Sequence, residues 1–494
     1  MLFRSPKQIS NVLEGSLTDI DIASLTKGYG IVPTKIQKVM PATAGQSYFL
    51  AMHSLNREVF YPAFYYLTTS SLKRETLENA WTRLTEQTPI LRTAFIPTND
   101  KTHVPYVQIV LGSLPSPVMW HEECNELQPS PSAERGFGSI PVVLHACQTS
   151  RGTALMLHIH HALYDAVSLP ATMEKLSSLC DLDETRIELE LGDLSSLVAL
   201  QHLHSPIEAR RQFWQRYLGQ ISIPDNETRR LDTFETIQQF YRPGLVSNMS
   251  DVELTAKRQS LSVQSIFLAL YARVHARVFA RDNGSQSLVV GLYLSNRLYD
   301  MEGLSELMAP TLNIVPLRLD IPSNNEADSI FSAARKIQDD INEISRIENA
   351  SVSLTEIAEW TGVRINVCIN FLRLPDLQQD ASSSHGDDKI HFESVRREDL
   401  VDDQSTLQVE TQTQTNGSTA DAHTNHTARP STTAGFEEIF MVSDLSGIST
   451  STSTYIHSGE PGTNAIVSYS LRSMWKQLYV MAAWTLVFSL QIPD

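Results

Sequence analysis

Apolar positions along this chain switch repeatedly between two periods. The run PATAGQSYFLAMHSL, starting at Pro41, opens on proline and continues at helical spacing, and the following FYPAFYYLTT, rich in aromatics and threonine, reads as a strand. Ser71 is placed to cap a helix whose apolar positions are Leu77, Ala80, Trp81 and Leu84; Pro89 ends it, and LRTAF (Leu91 to Phe95) starts the next strand. Pro141 to Cys147 and Ala154 to His160 are apolar runs joined by QTSRGT, which predicts a hairpin turning at Gly152. Ser168-Leu169-Pro170 supplies a cap residue and an early-helix proline before ATMEKLSSLC. His160 and His161 therefore stand at a strand end, with Asp165 in the loop entering a helix.

The second half repeats this mixed texture. Ser262 precedes Val263, Ile266, Phe267, Leu270, Tyr271, Val274 and Val278 at helical spacing, closed by Asn283-Gly284. SLVVGLYLSNR, APTLNIVPLRLD and RINVCINFLRL read as strands, and a charged helix is predicted from Glu326 to Arg346. No short internal repeat is present, though two halves of similar texture fit the pattern. Residues 1–33 hold a short amphipathic piece and the turn Lys27 to Gly30, and read as a lead-in. The stretch 376–435 is polar and Thr-rich and is expected to be a flexible insertion, because it has too little apolar surface to offset its ordering entropy. The apolar pattern returns at Phe436, and Leu478 to Phe488 reads as a core helix, too short to span a bilayer.

Composition narrows the function classes. The chain has 494 residues, 41% hydrophobic and 19% charged, with a net charge of −17. No local basic patch offsets that acidity, so no nucleic-acid partner is expected. Cys124, Cys147, Cys180 and Cys368 are widely spaced without a CxxC pair; this argues against a structural zinc site and a disulfide framework and fits a reducing, cytoplasmic setting. No signal peptide or membrane segment is read, so the Asn-x-Ser/Thr sites at Asn226, Asn416 and Asn425 carry little weight. P-loop, GxGxxG and GxSxG patterns are absent.

The outstanding cluster is His158-Ile-His160-His161-Ala-Leu-Tyr-Asp165-Ala166-Val-Ser168. Three readings compete for it. Its histidines could be satisfied by backbone partners, the commoner fate of an isolated pair. They could bind a metal, although Ala162 stands where a metallo-hydrolase needs an aspartate. Or a histidine could do acid–base work without a metal, accepting a proton from an attacking amine at neutral pH.

HHALYDAVSLP resembles the HHxxxDG signature of the condensation domains of nonribosomal peptide synthetases. PATAGQSYFL, LRTAF, GLYLSNR, APTLNIVPLRL and VCINFLRL resemble further core segments of that family, in order, and the likeness covers about residues 34 to 494 apart from the insertion. The fourth motif is approximated by RRQFWQRYLGQ (Arg210 to Gln220). The wording of PATAGQ with HHALYDAVSLP is closest to fungal synthetases that build hydroxamate siderophores.

The resemblance implies a mixed α/β (α+β) fold of two chloramphenicol-acetyltransferase-like lobes in a V with a central tunnel. Residues 1–33 would be an inter-domain linker, the N-terminal lobe would span 34–205 and the C-terminal lobe 206–494. The implied reaction is amide formation between a donor acyl or peptidyl thioester and an acceptor aminoacyl thioester. Upstream and downstream peptidyl carrier domains would present both on phosphopantetheine arms, and the domain itself would bind no cofactor and no metal. His161 matches the family's catalytic histidine and His160 its structural neighbour. Asp165 is implied to pair with Arg297 and fix the loop; Ser168 is expected to cap the next helix. Ala166 stands where the family usually has glycine, which would narrow the donor side. The alternatives are a terminal cyclising domain, a non-catalytic carrier-docking relative and, on HIHH, a metal-dependent hydrolase.

Overall fold

The computed structural model describes residues 6–57, 59–68, 71–98, 103–112, 118–127, 136–181, 194–203, 206–219, 249–279, 287–321, 327–363, 365, 367–374, 390–398, 407–415, 436–443 and 466–467. The expected core helix Leu478 to Phe488, the turn Asn283-Gly284, the three Asn-x-Ser/Thr sites and most of the insertion lie outside these residues.

Among the described residues, the first half carries α1 (Pro6–Ser16), α2 (Ile22–Gly28), β1 (Ile36–Pro41), α3 (Ala44–Leu55), β2 (Ala63–Thr68), α4 (Arg74–Gln87), β3 (Thr93–Pro97), β4 (Tyr106–Leu111), β5 (Met119–His121), β6 (Val142–Thr149), β7 (Gly152–Ile159), α5 (Ser168–Asp181) and α6 (Ser195–Leu203). The predicted hairpin is β6–β7, and its turn needs Gly152 because φ is +140° there. Strand β4 sits between β1 and β3 in a small antiparallel sheet. The second half carries α7 (Ile207–Leu218), α8 (Met249–Gln259), α9 (Val263–Phe279), β8 (Ser287–Leu294), β9 (Asn313–Asp320), α10 (Ala327–Ile344), α11 (Ile347–Ala350), α12 (Leu354–Thr361), β10 (Val367–Leu374), β11 (Glu393–Glu398), β12 (Leu407–Thr415), β13 (Phe436–Ser443) and β14 (Ile466–Val467).

Two large sheets organise the two halves. One has the strand order β11-β2-β7-β6-β5, the other β14-β13-β12-β10-β8-β9. Each half has its own core: Trp81, Leu84, Leu144, Leu155 and Leu157 in the first, Trp214, Leu268, Val290, Leu317 and Ile369 in the second. A further cluster joins them, with Tyr48, Phe49 and Met52 of α3 packed against Ile314, Leu354 and Cys368 of the second half. The fourth-motif segment is α7. Its Trp214 donates to the Asn349 carbonyl at 3.2 Å and its Arg210 to that of Ser351 at 3.1 Å, which ties α7 to α11 and the residue that follows it.

Several expectations are corrected. The lead-in, residues 1–33, is packed where it is described: Leu13 of α1 is 5% exposed in the first core, and Leu17, Ile20, Ile22 and Leu25 cover the small sheet, so its amphipathic spacing is a docking face. The insertion expected to be flexible contributes strands. Residues 393–398 pair with β2, and β12 pairs with β10 in parallel over eight positions. Backbone hydrogen bonds need no apolar surface, so polar composition alone misjudged them. Strand β11 also carries the chain from the second half back into the first-half sheet, crossing the expected boundary after 205. The Ile390 amide ahead of it donates to both Asp181 carboxylate oxygens. Cys124 and Cys147 form a disulfide with their Cα atoms 5.4 Å apart, contrary to the expectation of none; β5 lies beside β6, and the chain then returns Cys124 to Cys147 across a separation of 23 residues that spacing alone did not flag. Ser71 does not cap α4: the cap position is Lys73, and the Ser71 hydroxyl donates to Gln148 at 3.0 Å.

Candidate active site

The end of β7 is held from both sides. Ile159 donates to the Pro62 carbonyl at 3.1 Å, His160 to that of Pro141 at 3.0 Å, and His161 to that of Phe60 at 2.8 Å. Phe60 adopts φ +58°, an unfavourable conformation for an aromatic residue, at the point where its carbonyl meets the His161 amide. The chain then makes one tight turn, His161–Leu163, before Asp165.

The three histidines take different duties. His158 is buried and its Nε2 donates to the Tyr61 carbonyl at 3.2 Å. His160 is buried too, and its Nδ1 accepts from the Ala162 amide at 3.1 Å, capping the turn. Burial, and then the neighbouring His53 and His161 rings, hold the His160 pKa well below the usual histidine range, so it stays neutral. His161 is half-exposed and lies between two aromatic rings, Phe49 and Tyr164, each centroid 4.4 Å away at 13°. Its Nδ1 faces the Tyr164 carbonyl at 3.1 Å. A carbonyl only accepts, so Nδ1 carries the proton and Nε2 is the basic nitrogen. Among the described residues no three His, Cys, Asp or Glu side chains gather as a metal-binding group.

Asp165 and Arg297 meet as the resemblance implied. The Arg297 Nη2 lies 2.9 and 2.8 Å from the two Asp165 oxygens, and the side chains are 8% and 5% exposed. The carboxylate also accepts from the amides of Val167 (3.1 Å), Ser168 (2.7 Å) and Thr311 (3.0 Å). A carboxylate so fully engaged is a fastening rather than a proton carrier. The Arg297 terminal nitrogens also donate to the carbonyls of Leu304 (3.2 Å), Leu307 (3.0 Å) and Ala309 (2.9 Å). Leu304, Leu307, Met308 and Ala309 are buried in the first-half core, so the pair locks a second-half loop onto the first half.

The capping expectation for Ser168 is reversed. Asp165 occupies the cap position, with its carbonyl accepting the first helical bond from Leu169, and the Ser168 hydroxyl accepts from the Asp165 amide at 2.8 Å. Their reciprocal bonds form a capping box in which Ser168 is the second member. Ala166 is half-exposed and is not among the residues with positive φ, so its backbone does not require the glycine found in the family motif.

Sequence reasoning left four neighbours unassigned: Gln46, Phe49, Tyr164 and Thr311. Gln46 was legible in part. Thr43 and Gln46 have the Thr-x-x-Gln spacing of a capping box, and both reciprocal bonds are present. With Oε1 accepting from the Thr43 amide, Nε2 donates to the Ala162 carbonyl at 2.9 Å. That second bond joins residues 116 positions apart, beyond any local pattern. Gly45, beside it, is required by close approach: a Cβ there would overlap the Leu312 carbonyl oxygen and lie 2.9 Å from its carbon.

The model of the condensation domain matches residues 36–363. The chain is 37% identical over 372 residues to the nonribosomal peptide synthetase sidC of Arthroderma benhamiae, covering 75% of this chain, and 30% identical over 349 residues to a hydroxamate-type ferrichrome siderophore peptide synthetase of Schizosaccharomyces pombe, covering 67%. It spans 7% of the length of each of these relatives. Among solved structures, the X-domain from teicoplanin biosynthesis matches with TM-score 0.61 at 15% identity, covering 91% of this chain and 94% of that one. The condensation domain of the monacolin K polyketide synthase MokA matches with TM-score 0.58 at 13% identity, covering 92% and 97%. The shared architecture is the mixed α and β, chloramphenicol-acetyltransferase-like fold of these domains. Among the described residues no helix is long and apolar enough to cross a membrane.

Proposed function

Because the chain belongs to the condensation-domain family, we propose that it forms an amide bond between a donor acyl or peptidyl thioester and an acceptor aminoacyl thioester. The observation that carries this reading is the tautomer of His161: its Nδ1 proton is held on the Tyr164 carbonyl, so Nε2 is the basic nitrogen of a half-exposed ring. A thioester is already activated, so bringing the amine into attack geometry supplies much of the acceleration. The amine nitrogen bonds to the thioester carbonyl carbon, the carbon–sulfur bond breaks, and the amine proton passes to Nε2 and then to the departing thiolate. His160, Asp165 and Arg297 hold the loop.

The carrier domains on either side would bring both partners on phosphopantetheine arms, entering between the two lobes; the domain itself would hold no cofactor and no metal. The Schizosaccharomyces pombe relative, by its name a siderophore peptide synthetase, supports siderophore assembly as the pathway class, and a hydroxylated, acylated ornithine is the acceptor or donor to try first. The test is transfer between donor- and acceptor-loaded carrier domains, read by mass spectrometry. The amide product should form with the wild type and fall about 100-fold or more in His161→Ala, a typical general-base contribution, with the fold intact. Full activity in His161→Ala would refute the reading.

A further inference from the structure

Helix α3 presents three side chains to the histidine loop from one face. Gln46, Phe49 and His53 stand three and seven positions apart, the spacing of a single helical stripe. Gln46 donates to the Ala162 carbonyl, Phe49 stacks on the His161 ring at 4.4 Å, and His53 meets the His160 ring edge-to-face at 4.7 Å. On another side the same helix is seated on the second half, where Gly45 touches Leu312 and Tyr48 and Met52 pack in the cluster with Ile314 and Cys368.

We propose that α3 is the platform that sets the orientation of His161, and that Gln46 is its positioning residue. The inference rests on the reading of His161 as proton acceptor. Gln46 is 1% exposed, and its amide has a divided duty: Oε1 fixes its own helix start while Nε2 grips the loop. The grip falls on Ala162, whose amide bonds His160 and whose carbonyl bonds Gln46. Both sides of the residue following His161 are thus fixed. The turn that brings the Tyr164 carbonyl to His161 Nδ1 depends on that peptide keeping its direction. With the turn released, the imidazole loses the bond that selects its tautomer, and Nε2 is basic for only part of the time.

The experiment uses the whole chain, labelled with ¹⁵N-histidine, with the His161 signal assigned by its loss in His161→Ala. In the wild type at neutral pH the ring should show the Nδ1–H tautomer. Gln46→Glu keeps an acceptor for the Thr43 amide but turns a carboxylate oxygen toward the Ala162 carbonyl. It should mix the tautomers and lower kcat for carrier-to-carrier transfer about tenfold or more with KM little changed. Thr43→Ala, which weakens only the helix start, should lower the melting temperature and leave the tautomer intact. Should Gln46→Glu fail to fold, Gln46→Met removes the donor at similar volume and is read in the same way. A wild-type tautomer and a rate within twofold in the folded Gln46 variant would overturn the proposal. If the wild type transfers nothing while the Gln46 variant still scrambles the tautomer, the positioning role stands and the amide-forming reading falls.

Discussion

Replacing Arg297 by methionine removes the cation while keeping most of the side-chain length, and the consequences can be worked from the contacts. The Asp165 carboxylate is 5% exposed and loses both of its bonds to Nη2. A buried charge stripped of its partner typically costs about 3–5 kcal/mol, against less than about 1 kcal/mol for an exposed pair. The carbonyls of Leu304, Leu307 and Ala309 lose a donor as well, in a loop whose side chains fill the first-half core. We expect destabilisation of about 4 kcal/mol. Asp165→Asn alone should also be costly, because an amide nitrogen in the place of Oδ2 would face donors from Arg297 and Thr311. In the double variant neither charge is left stranded, so its loss should fall short of the sum of the singles by about 2 kcal/mol. Urea unfolding followed by tryptophan fluorescence measures all four proteins. A loss below about 1 kcal/mol for Arg297→Met, or strict additivity in the cycle, would refute the view that this pair fastens the halves.

Two further outcomes follow from the same structure. Gly45→Ala should cost a few kcal/mol, because the new methyl meets the Leu312 backbone rather than a movable side chain; an unchanged urea midpoint would show that α3 can retreat from β9 at no expense. Stability should fall on acidification from pH 7 to pH 5. Burial depresses the pKa values of His145 and His275 to about 4 and holds that of His160 well down, so the unfolded chain binds more protons than the folded one below about pH 6.5. Stability therefore rises with pH across that window. For His275 alone the change between pH 6.5 and 5 is at most about 2 kcal/mol, and a flatter midpoint profile in His275→Gln checks it.

Local chemistry made much of the molecule legible from the chain. Gly152 and the apolar runs around it marked the β6–β7 hairpin, and the spacing of Leu77, Ala80, Trp81 and Leu84 marked α4. The string from His158 to Ser168 placed its histidines at a strand end and Asp165 at a helix entry, because strand and cap preferences act within a few residues. The tertiary structure decided everything that depends on distant chain segments. It separated the duties of His158, His160 and His161, since each ring's bonds come from a different neighbour: Tyr61, Ala162 and Tyr164. It showed Asp165 to be the cap and Ser168 its partner, and it brought Arg297 to that carboxylate across 132 positions. It packed the lead-in against the first core, placed strands in a polar insertion and joined Cys124 to Cys147. Those outcomes turn on which backbone groups and surfaces lie opposite one another after folding, and composition along a single chain does not encode that geometry.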